Sequence, residues 1–162
     1  MKVLEDIRIK DSIEINALPE SVFEFLLNLK DDESYRNWHP KDHISFCWLK
    51  GKPWEIGSVV CAKEYIHGVK HTFKFKITKM IPNKLIEYVP TFWIYRIFVP
   101  NNSFVIEPTL SGCIFTAEGK YRIGRIGKLL AKNKIEKGIA SIKRHLQEEG
   151  ENLKKAVESK NL

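Results

Sequence analysis

The chain has 162 residues, 43% of them hydrophobic and 11% aromatic, with a formal net charge of +7 at neutral pH. A chain of that length buries roughly 70% of the surface it exposes when unfolded, so a single domain over residues 1–162 needs no disulfide or metal to fold. The composition excludes a disordered chain, and no apolar run reaches the roughly 18 residues of a membrane-spanning helix; the charged opening Met1-Lys2-Val3-Leu4-Glu5-Asp6 lacks a signal-peptide pattern, so a cytoplasmic location is expected.

Ile7, Ile9, Ile13 and Ile15 have the odd spacing of a strand with one buried face, with Asp11 and Ser12 as a candidate interruption. Asn16-Ala17-Leu18-Pro19-Glu20 reads as a turn into a short helix made apolar by Val22, Phe23, Phe25, Leu26 and Leu27. A second short helix is predicted over residues 31–37, followed by the loop Trp38-His39-Pro40-Lys41-Asp42-His43.

Successive antiparallel strands are predicted from there to about Tyr121, with turns at Lys50-Gly51-Lys52-Pro53, His67-Gly68, Pro82-Asn83, Pro100-Asn101-Asn102 and Ser111-Gly112. Alternation puts Val60, Ala62, Glu64 and Ile66 on one face of a strand, and His71, Phe73 and Phe75 on the cavity side of the next. Residues 126–159 form the one long helix candidate, with Ile135, Ile139, Ile142, Leu146, Leu153 and Val157 as its core-facing stripe. Gly138 and Gly150 each weaken it by about 1 kcal/mol relative to Ala, so a bend or break is expected near either.

Cys47, Cys61 and Cys113 are odd in number and widely spaced, the pattern of buried free thiols rather than of a disulfide framework or a Cys-based zinc site. Residues 120–160 carry 12 Lys or Arg against 5 Glu, which accounts for the whole positive excess. Basic helices serve nucleic acid or anionic membranes in some proteins, but solvation of an outer face is the ordinary reason for them. With no nucleic-acid motif beside the charge, no nucleic-acid partner is expected.

His145 and Glu149, four apart in the long helix, aim an imidazole and a carboxylate at one point, with β-carbons about 6 Å apart. Glu64 shares its strand face with small apolar residues, and a buried carboxylate must find a cation, a metal or a proton; a salt bridge at a sheet edge is the plainer alternative. The loop adds His39 and His43, although Asp42 and His43 could simply brace its turn and Trp38 plug the core. One loop His, one strand Glu and a helical His with Glu make a donor set suited to zinc, iron or manganese.

The order of elements, with Ser12-Ile13-Glu14-Ile15-Asn16-Ala17 and Pro19-Glu20-Ser21-Val22-Phe23 at its opening, resembles the helix-grip superfamily of START lipid-transfer domains, polyketide cyclases and the birch-pollen allergen. That resemblance implies an α+β fold: a curved antiparallel sheet wrapped around a long C-terminal helix, with two short helices after the first strand and an apolar cavity between sheet and helix. Over residues 35–155 the loop, Lys63-Glu64-Tyr65 and the His145/Glu149 pair resemble the zinc-dependent diacetylphloroglucinol and phloretin hydrolases, which carry an added N-terminal region.

The resemblance implies zinc or another divalent ion held by His43, Glu64, His145 and Glu149, with His39 the rival for the loop position. Asp42 would orient an imidazole and His71 would donate or accept a proton, making His39, Asp42 and His71 the implied catalytic group. The implied reaction is hydrolysis of a carbon–carbon bond between an acyl group and an aromatic ring. Trp48, Trp54, Phe73, Phe75, Tyr88, Phe92, Trp93 and Tyr95 are candidates to line a site for a hydrophobic or aromatic small molecule. A metal-free carrier and a basic interaction module are the competing expectations; oligomeric state is open, with a homodimer among the options.

Overall fold

The computed structural model describes residues 4–161. Seven strands, β1 (Leu4–Ile15), β2 (His43–Lys50), β3 (Val59–Ile66), β4 (Val69–Ile81), β5 (Leu85–Pro90), β6 (Asn101–Pro108) and β7 (Cys113–Gly124), form one sheet in the order β1-β7-β6-β5-β4-β3-β2. Every neighbouring pair is antiparallel, as hairpin-connected strands allow. Helices α1 (Pro19–Leu27) and α2 (Asp32–Arg36) follow β1, α3 (Trp93–Phe98) lies between β5 and β6, and α4 (Arg125–Leu130) precedes the long α5 (Lys132–Glu158). This is the helix-grip fold expected from the sequence.

β1 runs uninterrupted through Asp11 and Ser12, because Ser12 Oγ bonds Thr116 Oγ1 of β7 at 2.8 Å across the ladder. Ile9 and Ile15 are buried on its inner face, where they meet Leu26 of α1, Phe115 of β7, and Leu153 and Val157 of α5 in one core. Leu153 has no exposed surface, and truncating such a side chain to Ala costs about 2–5 kcal/mol.

Three expectations change. The segment before Asn101 is a helix, α3, and Asn101 already opens β6 rather than forming a turn. The closing helix breaks at Ala131, whose φ of −129° and ψ of 32° leave the helical region, and passes through Gly138 and Gly150 without interruption. At Gly150 a β-carbon would stand 3.1 Å from Ile13 Cγ2, so the small residue lets α5 sit close on β1. Cys61 and Cys113 are buried as expected, but Cys47 is exposed because edge strand β2 turns it outward; all three thiols are free.

Candidate functional site

Sheet and α5 enclose a cavity of about 720 Å³. Val60, Ala62, Glu64 and Ile66 line it from β3, and His71, Phe73 and Phe75 from β4, the faces that alternation assigns. Glu64 and His71 are register partners across the β3–β4 ladder. Of the expected aromatic residues Trp54, Phe73, Phe75, Tyr88, Phe92 and Tyr95 line the cavity, whereas Trp48 and Trp93 do not. Tyr35, Trp38, Phe104 and Tyr121 line it as well.

α2 starts from a capping box in which the Asp31 carboxylate accepts from Ser34 N at 2.9 Å while Ser34 Oγ accepts from Asp31 N at 3.0 Å. The backbone of Trp38 and His39 continues that turn by donating to Tyr35 O, at 3.0 Å each. Tyr35, Trp38 and His39 are spaced i, i+3, i+4 and all three are buried, so one face of α2 and the turn that follows it delivers three rings inward. Trp38 Nε1 donates to the Glu149 main-chain oxygen at 3.0 Å, and the His39 ring stacks on Tyr35 with centroids 4.9 Å apart.

Glu64, His145 and Glu149 line the cavity, and His39, buried but not part of that lining, stands with His145 beside both carboxylates. His39 Nδ1 is 3.7 Å from Glu64 Oε2 and its Nε2 is 3.9 Å from Glu149 Oε1. His145 Nε2 is 3.8 Å from Glu64 Oε1 and 3.6 Å from Glu149 Oε1. Tyr35 donates to Glu64 Oε2 over a long 3.4 Å. Among the described residues no Lys or Arg forms an ion pair with Glu64 or Glu149, so the edge salt bridge is not what holds Glu64. His39 Nε2 is buried without a hydrogen-bond partner.

Burial dominates the electrostatics. It lowers His39 to about 3, with His145 and His43 adding repulsion, and lowers His145 to about 4. It raises Glu64 to about 7, against the hydrogen bond from Tyr35, and pushes Glu149 well above the usual carboxylate range, with Glu64 adding to the rise. The four groups therefore resist isolated charge, and a cation placed among them would favour the ionised carboxylates.

Two of the expected placements differ. His43 is the register partner of Glu64 but its ring lies beside Tyr35, with Nε2 3.1 Å from Asp32 Oδ1, so the loop imidazole at the carboxylates is His39. Asp32, at the start of α2, accepts a hydrogen bond from Phe46 N, which fixes it next to His43. Asp42 bonds through its main-chain oxygen to Tyr65 N at 2.8 Å and acts on the cluster at a distance, raising Glu64 and opposing the fall of His145.

A tetrahedral ion with bonds of about 2.1 Å separates its ligands by about 3.4 Å. His145 Nε2 stands 3.8 and 3.6 Å from the two carboxylates, a few tenths wider, but His39 turns Nδ1 to Glu64 and Nε2 to Glu149, opposite sides of one ring, and among the described residues no group of three or more His, Cys, Asp or Glu is placed to hold a metal ion.

An antiparallel sheet gripping a long helix around an apolar cavity defines a ligand-binding class of protein, and the sequence comparison agrees. The chain belongs to the polyketide cyclase / dehydrase and lipid transport family, whose pattern matches residues 6–158. No curated protein matches it in sequence. Among solved structures it resembles norcoclaurine synthase from Thalictrum flavum, solved with dopamine and hydroxybenzaldehyde, at 13% identity and a TM-score of 0.71, over 97% of this chain and 89% of that one. A protein of unknown function from Staphylococcus aureus is similar at 9% identity and 0.71, over 98% and 97% of the two chains. The protein Ara h 8.0201 is similar at 14% identity and 0.66, over 96% and 99%. Likeness at these identities establishes the fold, and the resemblance to zinc hydrolases draws no support from these comparisons.

Proposed function

We propose that the chain is a divalent-metal-dependent hydrolase acting on an aromatic or polyketide-like ketone, with zinc or a similar ion held by His39, Glu64, His145 and Glu149. The observation that carries this reading is the gathering of two imidazoles and two carboxylates, three of the four side chains lining an apolar cavity and the fourth, His39, buried beside them with Nε2 unpartnered. Two acidic side chains 3% and 8% exposed, with no described Lys or Arg paired to them, are a costly arrangement that a dication would neutralise. The donor types fit zinc, iron or manganese.

A bound dication would supply Lewis acidity, polarising an acyl oxygen or lowering the pKa of water. The chain's own residues do the rest. Phe73, Phe75 and Tyr88 give flat apolar walls that orient a ring and keep bulk water away. Hydrolysis breaks the bond between acyl carbon and ring carbon, adds the oxygen of water to the acyl carbon, and requires a proton at the departing ring carbon. His71, on the cavity wall opposite Glu64 in the β3–β4 ladder, is the group assigned to deliver that proton from its imidazole N–H.

The size of the cavity and the family's breadth favour a second reading, a carrier of a hydrophobic small molecule without chemistry. Elemental analysis of the purified chain separates the two. Near-stoichiometric divalent metal supports the hydrolase, whereas a metal-free protein that retains an apolar ligand in the presence of chelator removes it.

A further inference from the structure

We propose that the face built from α3, α4 and the first turns of α5 docks the protein on an anionic lipid surface. The two short helices leave the same end of the sheet. Asn101 pairs with Lys120, so α3, ending at Phe98, and α4, beginning after Gly124, flank one end of the β6–β7 ladder, and both touch β7.

That end exposes side chains that water does not favour. Trp93 is 65% exposed, Tyr95 60%, Ile126 73%, Leu129 83% and Leu130 80%. Apolar residues scattered singly on a surface need no explanation, but five large ones on two helices that both touch β7 at one end of the sheet mark an interaction site. Trp and Tyr beside aliphatic residues is the composition that settles at the boundary of headgroups and acyl chains.

Charge decides what covers the face. Between residues 120 and 144 the sequence holds nine Lys or Arg and a single acid, Glu136. Arg125, next to Ile126 in the chain, and Lys134 and Lys137 in the first turns of α5 are exposed. A second copy of the chain would bring this same excess of positive charge against itself, and aliphatic Ile126, Leu129 and Leu130 offer nothing for a nucleobase to stack on. A negative leaflet satisfies both the cations and the greasy side chains.

The position has a consequence for the cavity. Phe92, Tyr95 and Val99 at α3, and Gly138, Ser141 and Ile142 on α5, belong to its lining, so the docking face borders the same end of the chamber. An apolar molecule dissolved in the bilayer could then enter without crossing water. No helix of the described residues is long and apolar enough to span the membrane, so attachment is peripheral and reversible. The inference does not depend on whether a metal is held at His39 and Glu149.

The test is flotation of the full chain with vesicles of phosphatidylcholine alone and of phosphatidylcholine mixed with phosphatidylserine, at low and raised salt. Binding is expected to the mixed vesicles, weakened by salt. The combined substitution Arg125→Gln, Lys134→Gln and Lys137→Gln is expected to lower that affinity by about a hundredfold, since each cation near an anionic leaflet contributes roughly fivefold. A separate variant, Trp93→Ser with Leu129→Ser, is expected to lower it at least about tenfold. Both sets lie on the surface and outside the cavity lining, and unchanged circular dichroism and unfolding midpoints identify folded variants.

Equal binding to neutral and anionic vesicles, or undiminished binding by both variants, overturns the proposal. So does a dimer in sedimentation velocity that the same substitutions dissolve while vesicles go unbound, or oligonucleotide binding without vesicle binding.

Discussion

Trp38 donates its indole N–H to the main-chain oxygen of Glu149 at 3.0 Å, so the loop that carries His39 is fastened to the turn of α5 that carries the facing carboxylate. Position and chemistry are thereby coupled: moving the loop moves one imidazole and one carboxylate together. Replacing Trp38 with Phe keeps most of the bulk and removes the bond, and should lower unfolding free energy by about 1 kcal/mol, plus any loss from imperfect filling. Urea denaturation checks this; Trp38→Ala should cost about 3–5 kcal/mol. A Phe variant as damaged as the Ala variant would contradict the idea that the bond is the smaller of the two contributions.

The proposed ligand set predicts which imidazole matters. Metal content measured after dialysis should be near stoichiometric in the unaltered chain and fall severely in His39→Ala, His145→Ala and Glu149→Ala, while His43→Ala retains it. His43 faces Asp32 rather than the carboxylates, so its loss should show in stability alone. The reverse pattern, with His43 required and His39 dispensable, would refute the assignment made from the geometry.

Filling the cavity should separate ligand binding from folding. Ala62 is 8% exposed and lines the chamber two residues before Glu64 on the same strand face. Ala62→Phe would project a ring into space that is otherwise open, so binding of the apolar fluorophore N-phenyl-1-naphthylamine should weaken by about tenfold or more, equivalent to about 1.4 kcal/mol. Overpacking of a filled core would instead cost about 1–3 kcal/mol of stability, so a variant that binds normally but unfolds early would locate Ala62 in packed interior rather than at a cavity.

Two glycines should respond differently to Ala. At Gly112 a β-carbon would fall 2.2 Å from Ile15 O and 3.0 Å from Ala17 N, both backbone atoms, so the β6–β7 turn must shift away from the end of β1. A loss of about 1–3 kcal/mol is expected in equilibrium unfolding. At Gly150 the contact is the Ile13 side chain at 3.1 Å, and the helix-propensity gain of about 1 kcal/mol works against the displacement. Gly150→Ala should therefore be the milder change, and a larger loss there than at Gly112 would reverse the ranking.

What could be read in advance follows from periodicity. Alternation placed Glu64 with Val60 and Ala62, and His71 with Phe73 and Phe75, because a strand's faces are strictly two-fold. The i, i+4 spacing likewise brought His145 and Glu149 together. Periodicity failed where no contrast exists. Trp93-Ile94-Tyr95-Arg96-Ile97-Phe98 is apolar almost all round, so α3 passed for a strand, and the break at Ala131 has neither Gly nor Pro to announce it.

The choice between His39 and His43 turned on how α2 ends. The spacing of Tyr35, Trp38 and His39 was the available signal, and it was obscured by Pro40, which directs attention to the loop as a turn. Asp32 was equally hidden, since its role at His43 arises from β2 returning beside α2. Cys47 was misplaced because its exposure depends on β2 being the sheet's last strand.

β1 pairs along its full length with β7, Leu4 opposite Gly124 and Ile15 opposite Cys113. During synthesis on the ribosome the first strand must therefore wait, its hydrogen-bonding edge unmatched, until more than a hundred further residues have emerged. The chamber is not walled in until α5 has been made, and a chain that stops before β7 is left with a sticky, unpaired edge along β1.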